Sequence, residues 1–518
     1  MALAVLRLYF AVDRLQHLAS HKAEWGLLFL LLTQLAVFRG LDLPRGGGHW
    51  LARMDSLALL KLYILFFLGL KAFHWNRRWF ILRLSPGALL VLTFAFTILV
   101  GWILLSLPRC TTRPVSLLDT LFTATSAVCV TGLTVVDTGR DFTLLGQGVI
   151  LGLFQLGGLG LMTWAVCFMG ISQQGLGFRE RATMLDVLNT QSMGSIGKVA
   201  RRIVLFTFLT EAGGAVLLYR FWPADHSRHD WWTAVFHAVS AFCNAGFSLF
   251  PDSLEGLSGR GVLFVFTVLI VIGGLGFPVL LEILSRRTWR RPQQRLLSRF
   301  SVHTKLVLTM TAALIVLAAA GIWLLELTFH ERVLSWPDTL LTAVTPRTAG
   351  FNSVSIAGLS QPALLLIIFL MYVGASPAGT GGGIKTSTFA MQLGYIIMVL
   401  RGRERLEMMQ RTIPRHMLQA ATMIGVVATL FIWGSVFLLR CFQPEEHTLL
   451  ELLFEEVSAF GTVGLSMGIT AELNAASKLV IMASMFVGRI GPLTVIMALS
   501  QRGAGRRGQY PEARVIIG

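Results

Sequence analysis

Phe122–Thr134 reads "FTATSAVCVTGLT", and three further segments align with it without gaps: "FHAVSAFCNAGFS" (Phe236–Ser248), "LLTAVTPRTAGFN" (Leu340–Asn352) and "FEEVSAFGTVGLS" (Phe454–Ser466). Each ends in Gly, then Leu or Phe, then a small polar residue. The four glycines, Gly132, Gly246, Gly350 and Gly464, stand 114, 104 and 114 residues apart. One such glycine in an apolar chain reads as a helix-packing contact. Four in near-equal register read as an internal repeat.

The surroundings repeat as well. An apolar run long enough to span a bilayer precedes each motif, at roughly 86–107, 199–222, 304–327 and 416–441; spanning takes ~20 residues. A segment too short to cross leads to each glycine. A second apolar run follows, at roughly 143–172, 261–285, 361–398 and 475–500. Helix, re-entrant half-helix, extended loop and helix form the layout of a potassium-channel subunit. Non-helical backbone at membrane depth is tolerated where it lines a water-filled path or is buried in protein. Four such loops around one axis can aim carbonyl oxygens inward in place of a cation's water. The short helices would add the negative ends of their dipoles.

Composition agrees. Of 518 residues, 54% are hydrophobic and 14% charged, with mean hydropathy +0.68, whereas soluble chains carry ~25% charge. The expectation is an all-α integral membrane protein. The net charge of +17 does not point to nucleic acid, because it is segregated. Seven Lys/Arg and no acid lie between Arg286 and Lys305, and further basic clusters occupy 179–202 and 401–415 and the tail. The alternate connections carry few basic residues, as the positive-inside rule requires of cytoplasmic loops. The first 24 residues, with Asp13, His17 and Glu24, do not read as a secretory signal. Five scattered cysteines give no disulfide or metal spacing. The metalloprotease HExxH and the GxSxG elbow are both missing, so nothing marks an enzyme.

"SPAGTGGGIKTST" (Ser376–Thr388) resembles a phosphate loop, but Ile384 separates Gly383 from Lys385 where a Walker motif needs Gly-Lys. The second runs share a core instead: Gly157-Gly158-Leu159-Gly160, Gly273-Gly274-Leu275-Gly276, Gly382-Gly383-Ile384-Lys385 and Gly488-Arg489-Ile490-Gly491. These begin 25, 27, 32 and 24 residues after the motif glycines. The third quarter thus holds five to eight extra residues, and its Gly/Pro content cannot sustain a helix. A broken helix at membrane depth is expected there. Lys385 and Arg489 put cations where the other cores have glycine, and an intramembrane charge is a functional hypothesis. For Lys385, snorkelling to the interface is the competing reading.

These repeats, "SAVCVTGLTVVDTG" (Ser126–Gly139) above all, resemble the Trk/Ktr/HKT superfamily of potassium transporters, closest to its Ktr-type membrane subunit. The similarity runs from about residue 80 to "YPEARVIIG" (Tyr510–Gly518). It implies four pseudo-symmetric units around one pore, divided here as 85–198, 199–302, 303–414 and 415–518. It implies a potassium filter built from Val130, Thr131 and Gly132; Asn244, Ala245 and Gly246; Thr348, Ala349 and Gly350; and Thr462, Val463 and Gly464. Only the fourth reads Thr-Val-Gly, so looser discrimination against sodium than in a tetrameric channel is expected. The gate implied by the family maps to Gly379, Gly381, Gly382, Gly383, Lys385 and Arg489. The resemblance further implies a homodimer in a bacterial inner membrane, contacting lipid. It also implies a separate cytosolic nucleotide-binding regulator, an RCK-type ring, with 179–202 and 286–305 as docking segments.

Residues 1–84 depart from Ktr-type chains. The apolar runs 25–39 and 56–73 suggest an extra helical hairpin, as in Trk-type members. Arg347 is expected to brace the third filter from behind. Asp119, Asp338, Glu455 and Glu456 are read at helix starts, Asn244 and Asn352 as polar lining, and Glu211 as paired within the protein. Potassium is the expected cargo, with sodium as a further candidate. Two competing readings stay open: a sodium-coupled symporter, and a non-transporting membrane sensor or scaffold.

Overall fold

Apolar residues fill long stretches that fold as helices, interrupted in the second and third quarters near Pro278 and Pro377. The computed structural model describes residues 86–171, 196–223, 230–285 (except 256 and 258), 300–330, 333–443, 447–492 and 494, all within the unit Ser85–Gly518. The hairpin expected before residue 85, the bulk of both basic docking segments and the C-terminal tail lie outside the described residues.

The first quarter holds α1 (Pro86–Leu105), α2 (Leu117–Cys129), the short α3 (Thr138–Asp141) and α4 (Leu144–Ile171). The second holds α5 (Ile196–Phe221), α6 (Trp231–Cys243), α7 (Arg260–Gly274) and α8 (Phe277–Ile283). The third holds α9 (Val302–Phe329), α10 (Trp336–Val344), α11 (Gln361–Tyr372) and α12 (Thr386–Leu400). A two-stranded hairpin, β1 (Glu407–Met408) with β2 (Arg411–Thr412), leads into the fourth. There α13 (Arg415–Phe442), α14 (Leu449–Gly461) and α15 (Ala475–Ile490) follow. Among the described residues, Arg201–Phe221, Val302–Phe329 and Arg415–Phe442 are each long and apolar enough to cross a bilayer. Their outer faces carry Leu317, Leu430 and Phe437, each about two-thirds exposed. Such apolar area is at home against lipid tails.

The order of packing is cyclic. Each quarter's second long helix leans on the next quarter's short helix: α4 on α6, α7 on α10, α11 on α14, and α15 back on α2. The Lys478 ammonium meets the Asp119 carboxylate at 2.8 Å across this last seam. Leu133, Phe247, Phe351 and Leu465, the residues after the four glycines, are all buried. The apolar half of the motif is therefore wall, and only its backbone faces inward.

Three features differ from the sequence expectation. The run 261–285 is not one helix: α7 and α8 meet at 102°. Gly276 takes φ 89° there, and Pro278 at the start of α8 cannot extend the hydrogen-bond ladder backwards. The third short helix has nine residues against thirteen in the others: Thr345 is still helical and donates to Leu341, but Pro346 has no N–H with which to continue the ladder. Glu455 and Glu456 lie in mid-helix, not at the start of α14. The start is sealed by a Thr448–Glu451 capping box, which reciprocally satisfies the free N–H groups.

Candidate ion-conducting site

Each short helix ends in a residue with left-handed backbone: Val130 (φ 56°), Asn244 (φ 56°) and Thr462 (φ 51°), with Thr348 (φ 71°) in the matching place. Three of the four are β-branched, for which this conformation is costly. Strain of ~1–3 kcal/mol per residue persists only where the surroundings enforce it, and it gathers at functional sites. Here the enforcement is visible. The N–H groups of Val130 and Thr131 donate to Ala127 and Ser126, those of Asn244 and Ala245 to Ala241 and Ser240, and those of Thr462 and Val463 to Ala459 and Ser458. The Gly132 and Gly464 N–H groups donate to the hydroxyls of Ser126 and Ser458, each at 3.1 Å. With the donors turned back on the short helix, the carbonyls of the same peptides are held towards the opposite side.

That side is a common axis. A Cβ built on Gly132 would stand 2.5 Å from the Ala245 carbonyl oxygen, and one on Gly246 would stand 3.1 Å from that of Ala349. One on Gly350 would stand 2.5 Å from that of Val463, and one on Gly464 would overlap that of Thr131. The four glycines therefore close a ring in the order 1-2-3-4-1, each against the backbone of the next. All have positive φ, between 71° and 91°, a region that side chains rarely enter.

Above the ring opens a vestibule of about 310 Å³ that all four glycines line. Asp137, Asp252, Glu255 and Asn352 stand in its wall. Asn352 donates to Glu255 at 2.7 Å. Burial and the neighbouring Asp252 push the Glu255 carboxyl above its ordinary range, and the Asn352 bond opposes them. Asp252 and Glu255 went unread in the sequence, where only a Pro-Asp turn signalled a loop.

On the other side of the ring from the vestibule, residues 373–385 run as non-helical chain against Thr348 and Thr462. Gly382 N–H donates to Thr462 Oγ1 at 3.0 Å, and Thr380 Oγ1 to the Phe242 carbonyl at 3.3 Å. Ser376 and Thr380 N–H groups donate to Gly274 and Gly273, and Gly383 N–H to Gly488. The segment is thereby stitched to the second and fourth quarters. Arg489, buried, donates to the carbonyls of Thr380 and Gly157, which ties in the first. Lys385 does not snorkel: its Nζ donates to Gly381 O at 2.7 Å and Gly382 O at 3.4 Å. The glycines allow contact, not flexibility alone. A Cβ on Gly381 would strike the Thr348 side chain, and one on Gly382 that of Thr462. The core glycines act similarly, since Gly157, Gly273 and Gly488 lie against the carbonyls of Val128, Phe242 and Phe460.

Other polar residues find their places. Arg347 is buried and donates to Thr311 Oγ1 on α9 at 3.2 Å, away from the axis. Glu211 accepts from Gln155 at 2.9 Å, the partner that spacing could not reveal. Glu455 accepts from Ser466 at 3.1 Å and from Thr470, fastening the stretch that follows the fourth glycine. Asp119 and Asp338 sit one turn into α2 and α10, behind Ser116 and Ser335 as caps. Among the described residues no group of three or more His, Cys, Asp or Glu could hold a metal ion.

The family model TrkH, a cation transport protein, matches residues 91–503. The chain belongs to the TrkH cation transport protein family. It is 38% identical to the Ktr system potassium uptake protein B of Bacillus subtilis, over 84% of this chain and 97% of that one. It is 37% identical to the protein of the same name from Vibrio alginolyticus, covering 83% and 94%. To the potassium/sodium uptake protein NtpJ of Enterococcus hirae the identity is 36%, covering 84% and 98%. The crystal structure of the potassium transporter TrkH from Vibrio parahaemolyticus superposes with TM-score 0.69 at 18% identity, covering 92% of this chain and 97% of that one. At that identity the likeness speaks for the TrkH fold. This TrkH-family chain is accordingly a multi-pass membrane transport protein and not an enzyme.

Proposed function

We propose that the chain forms a gated, potassium-selective pore for potassium uptake across a bacterial inner membrane. The observation that carries the reading is the closed ring of four glycines beneath an acid-lined vestibule. Backbone carbonyls from the four tips, at Val130, Thr131, Asn244, Ala245, Thr348, Ala349, Thr462 and Val463 as well as the glycines, replace the ion's hydration shell. Loop 373–385 is the gate, with Gly379, Gly381, Gly382 and Gly383 as its yielding part. Arg489 and Lys385 hold it shut through carbonyls and add a positive barrier on the ion's path. Flow follows the electrochemical gradient, worth ~2.3 kcal/mol per 100 mV for a monovalent ion. The names of relatives in Bacillus and Vibrio support potassium as cargo. The name of the Enterococcus relative makes sodium the cation to test beside it.

A cytosolic nucleotide-binding ring, docking on the basic segments 179–202 and 286–305, would move the gate, and two copies of the chain would assemble together. Family resemblance and the placement of positive charge support both statements. The deciding measurement is rubidium uptake into proteoliposomes under a potassium gradient. Wild type should accumulate rubidium, sodium should compete weakly, and Gly→Ser variants at the ring should lose the preference. Uptake indifferent to all four substitutions would overturn the filter assignment. A reversal potential that follows the sodium gradient would favour coupled symport.

A further inference from the structure

At the basic end of the third quarter, which the positive-inside rule assigns to the cytoplasm, α12 and α13 part around a groove of about 1020 Å³. Tyr395 and Met398 from α12 wall one flank; Met423, Val426 and Val427 from α13 wall the other. Leu406 and Ile413 of the β1–β2 hairpin form its floor, joined by the Ile413 N–H to Leu406 carbonyl bond at 2.8 Å. Arg403, Arg405 and Arg415 stand at this end, all exposed. Among the described residues none of the three makes an ion pair. A single acid, Glu404, accompanies them.

We propose that this groove binds one anionic phospholipid, with acyl chain along α12 and α13 and phosphate on the three arginines. The apolar walls alone would not choose a lipid, because a hydrocarbon tail gains nothing from leucine-like neighbours that it lacks among other tails. The charge chooses. The arginines cluster where α12 ends at Leu400 and α13 begins at Arg415, and basic residues at the ends of spanning helices mark the headgroup level. Guanidinium forks match phosphate oxygens in pairs, and anionic headgroups populate the cytoplasmic leaflet. A choline headgroup brings its own cation against the same arginines and is disfavoured. Gln419, on the α13 wall next to Arg415, offers hydrogen bonds at the level of the glycerol esters.

The test uses the full chain in detergent, followed by native mass spectrometry and thermal unfolding with added lipid. Phosphatidylglycerol should be retained and raise the midpoint, phosphatidylcholine should do so less, and inorganic phosphate should do neither. Replacing Arg403, Arg405 and Arg415 together by Gln should weaken phosphatidylglycerol by about fivefold for each arginine and leave phosphatidylcholine unchanged. The triple Lys variant should recover most of the loss, which separates charge from folding. Val426→Trp, which fills the groove, should displace both lipids. Equal response to the two lipids, or undiminished phosphatidylglycerol binding in the triple Gln variant, overturns the proposal. So does an equal shift with phosphate alone. A photo-crosslinker at Met423 that captures a second copy of the chain instead of lipid does the same.

Discussion

The glycine ring and the loop beneath it are built on opposite plans. The ring is a fourfold repetition: the same left-handed step and the same contact with the next quarter, with the donors turned back alike in three of the four. The loop occurs once, in the third quarter, and every tie it makes is different: Thr462, Gly274, Gly273, Gly488 and Arg489. Selection among ions needs equivalent oxygens on all sides, which repetition supplies. Control needs one element that can leave while the rest stays, which repetition would prevent. The contrast assigns the cost of a substitution by where it falls.

The largest effects should come from the ring, and they should be unequal. Gly464→Ser and Gly132→Ser drive a side chain into neighbouring backbone at φ 91°, and potassium-dependent rubidium uptake should fall by more than about tenfold. Gly246→Ser meets nothing closer than 3.1 Å and should be the mildest of the four. Equal losses at all four positions would mean that crowding within the ring does not set its behaviour.

Next comes the loop. Arg489→Ala removes two charged hydrogen bonds to carbonyls, each worth ~1.5–3 kcal/mol. Basal flux without any regulator should rise by at least about tenfold, and by more than about a hundredfold if both bonds are lost at full strength. Lys385→Met removes a tie within the loop only, and a rise of about threefold is expected. Deleting Ala378–Gly382 should open the path outright, and unchanged maximal uptake in that variant would sink the gate reading.

The smallest effect belongs to the vestibule. Glu255→Gln should lower uptake by about twofold in dilute salt and not at all in concentrated salt, since mouth charges are screened. The sign with pH follows from the raised pKa. Glu255 loses its charge at a higher pH than an ordinary carboxylate as the medium acidifies. Wild-type uptake should therefore drift towards the variant's level on acidification, while the Gln variant stays flat there.

Most of this architecture was legible because apolar length and glycine register are written directly along the chain. The first helices agreed with expectation to within about three residues at each end, as is usual for frayed termini. The broken third inner helix was readable from its extra Gly and Pro residues. The bend at Gly276 was not, because the stretch is apolar throughout and Pro278 falls where it looks like a helix start. Pairings such as Gln155 with Glu211, or Asp119 with Lys478, join residues far apart in sequence and leave no local trace. Glu455 misled for a different reason. The capping pair, Thr448 and Glu451, lies one turn earlier, and Glu455 and Glu456 repeat the same acidic signal in mid-helix.

The seam between Gly464 and Thr131, with Lys478 against Asp119, is where the fourth quarter meets the first. Until it forms, the membrane holds only an open arc with no enclosed passage. On the reading proposed above, a passage walled on every side exists only once this seam is closed, so a change that parts Lys478 from Asp119 loosens the whole ring and not one quarter of it.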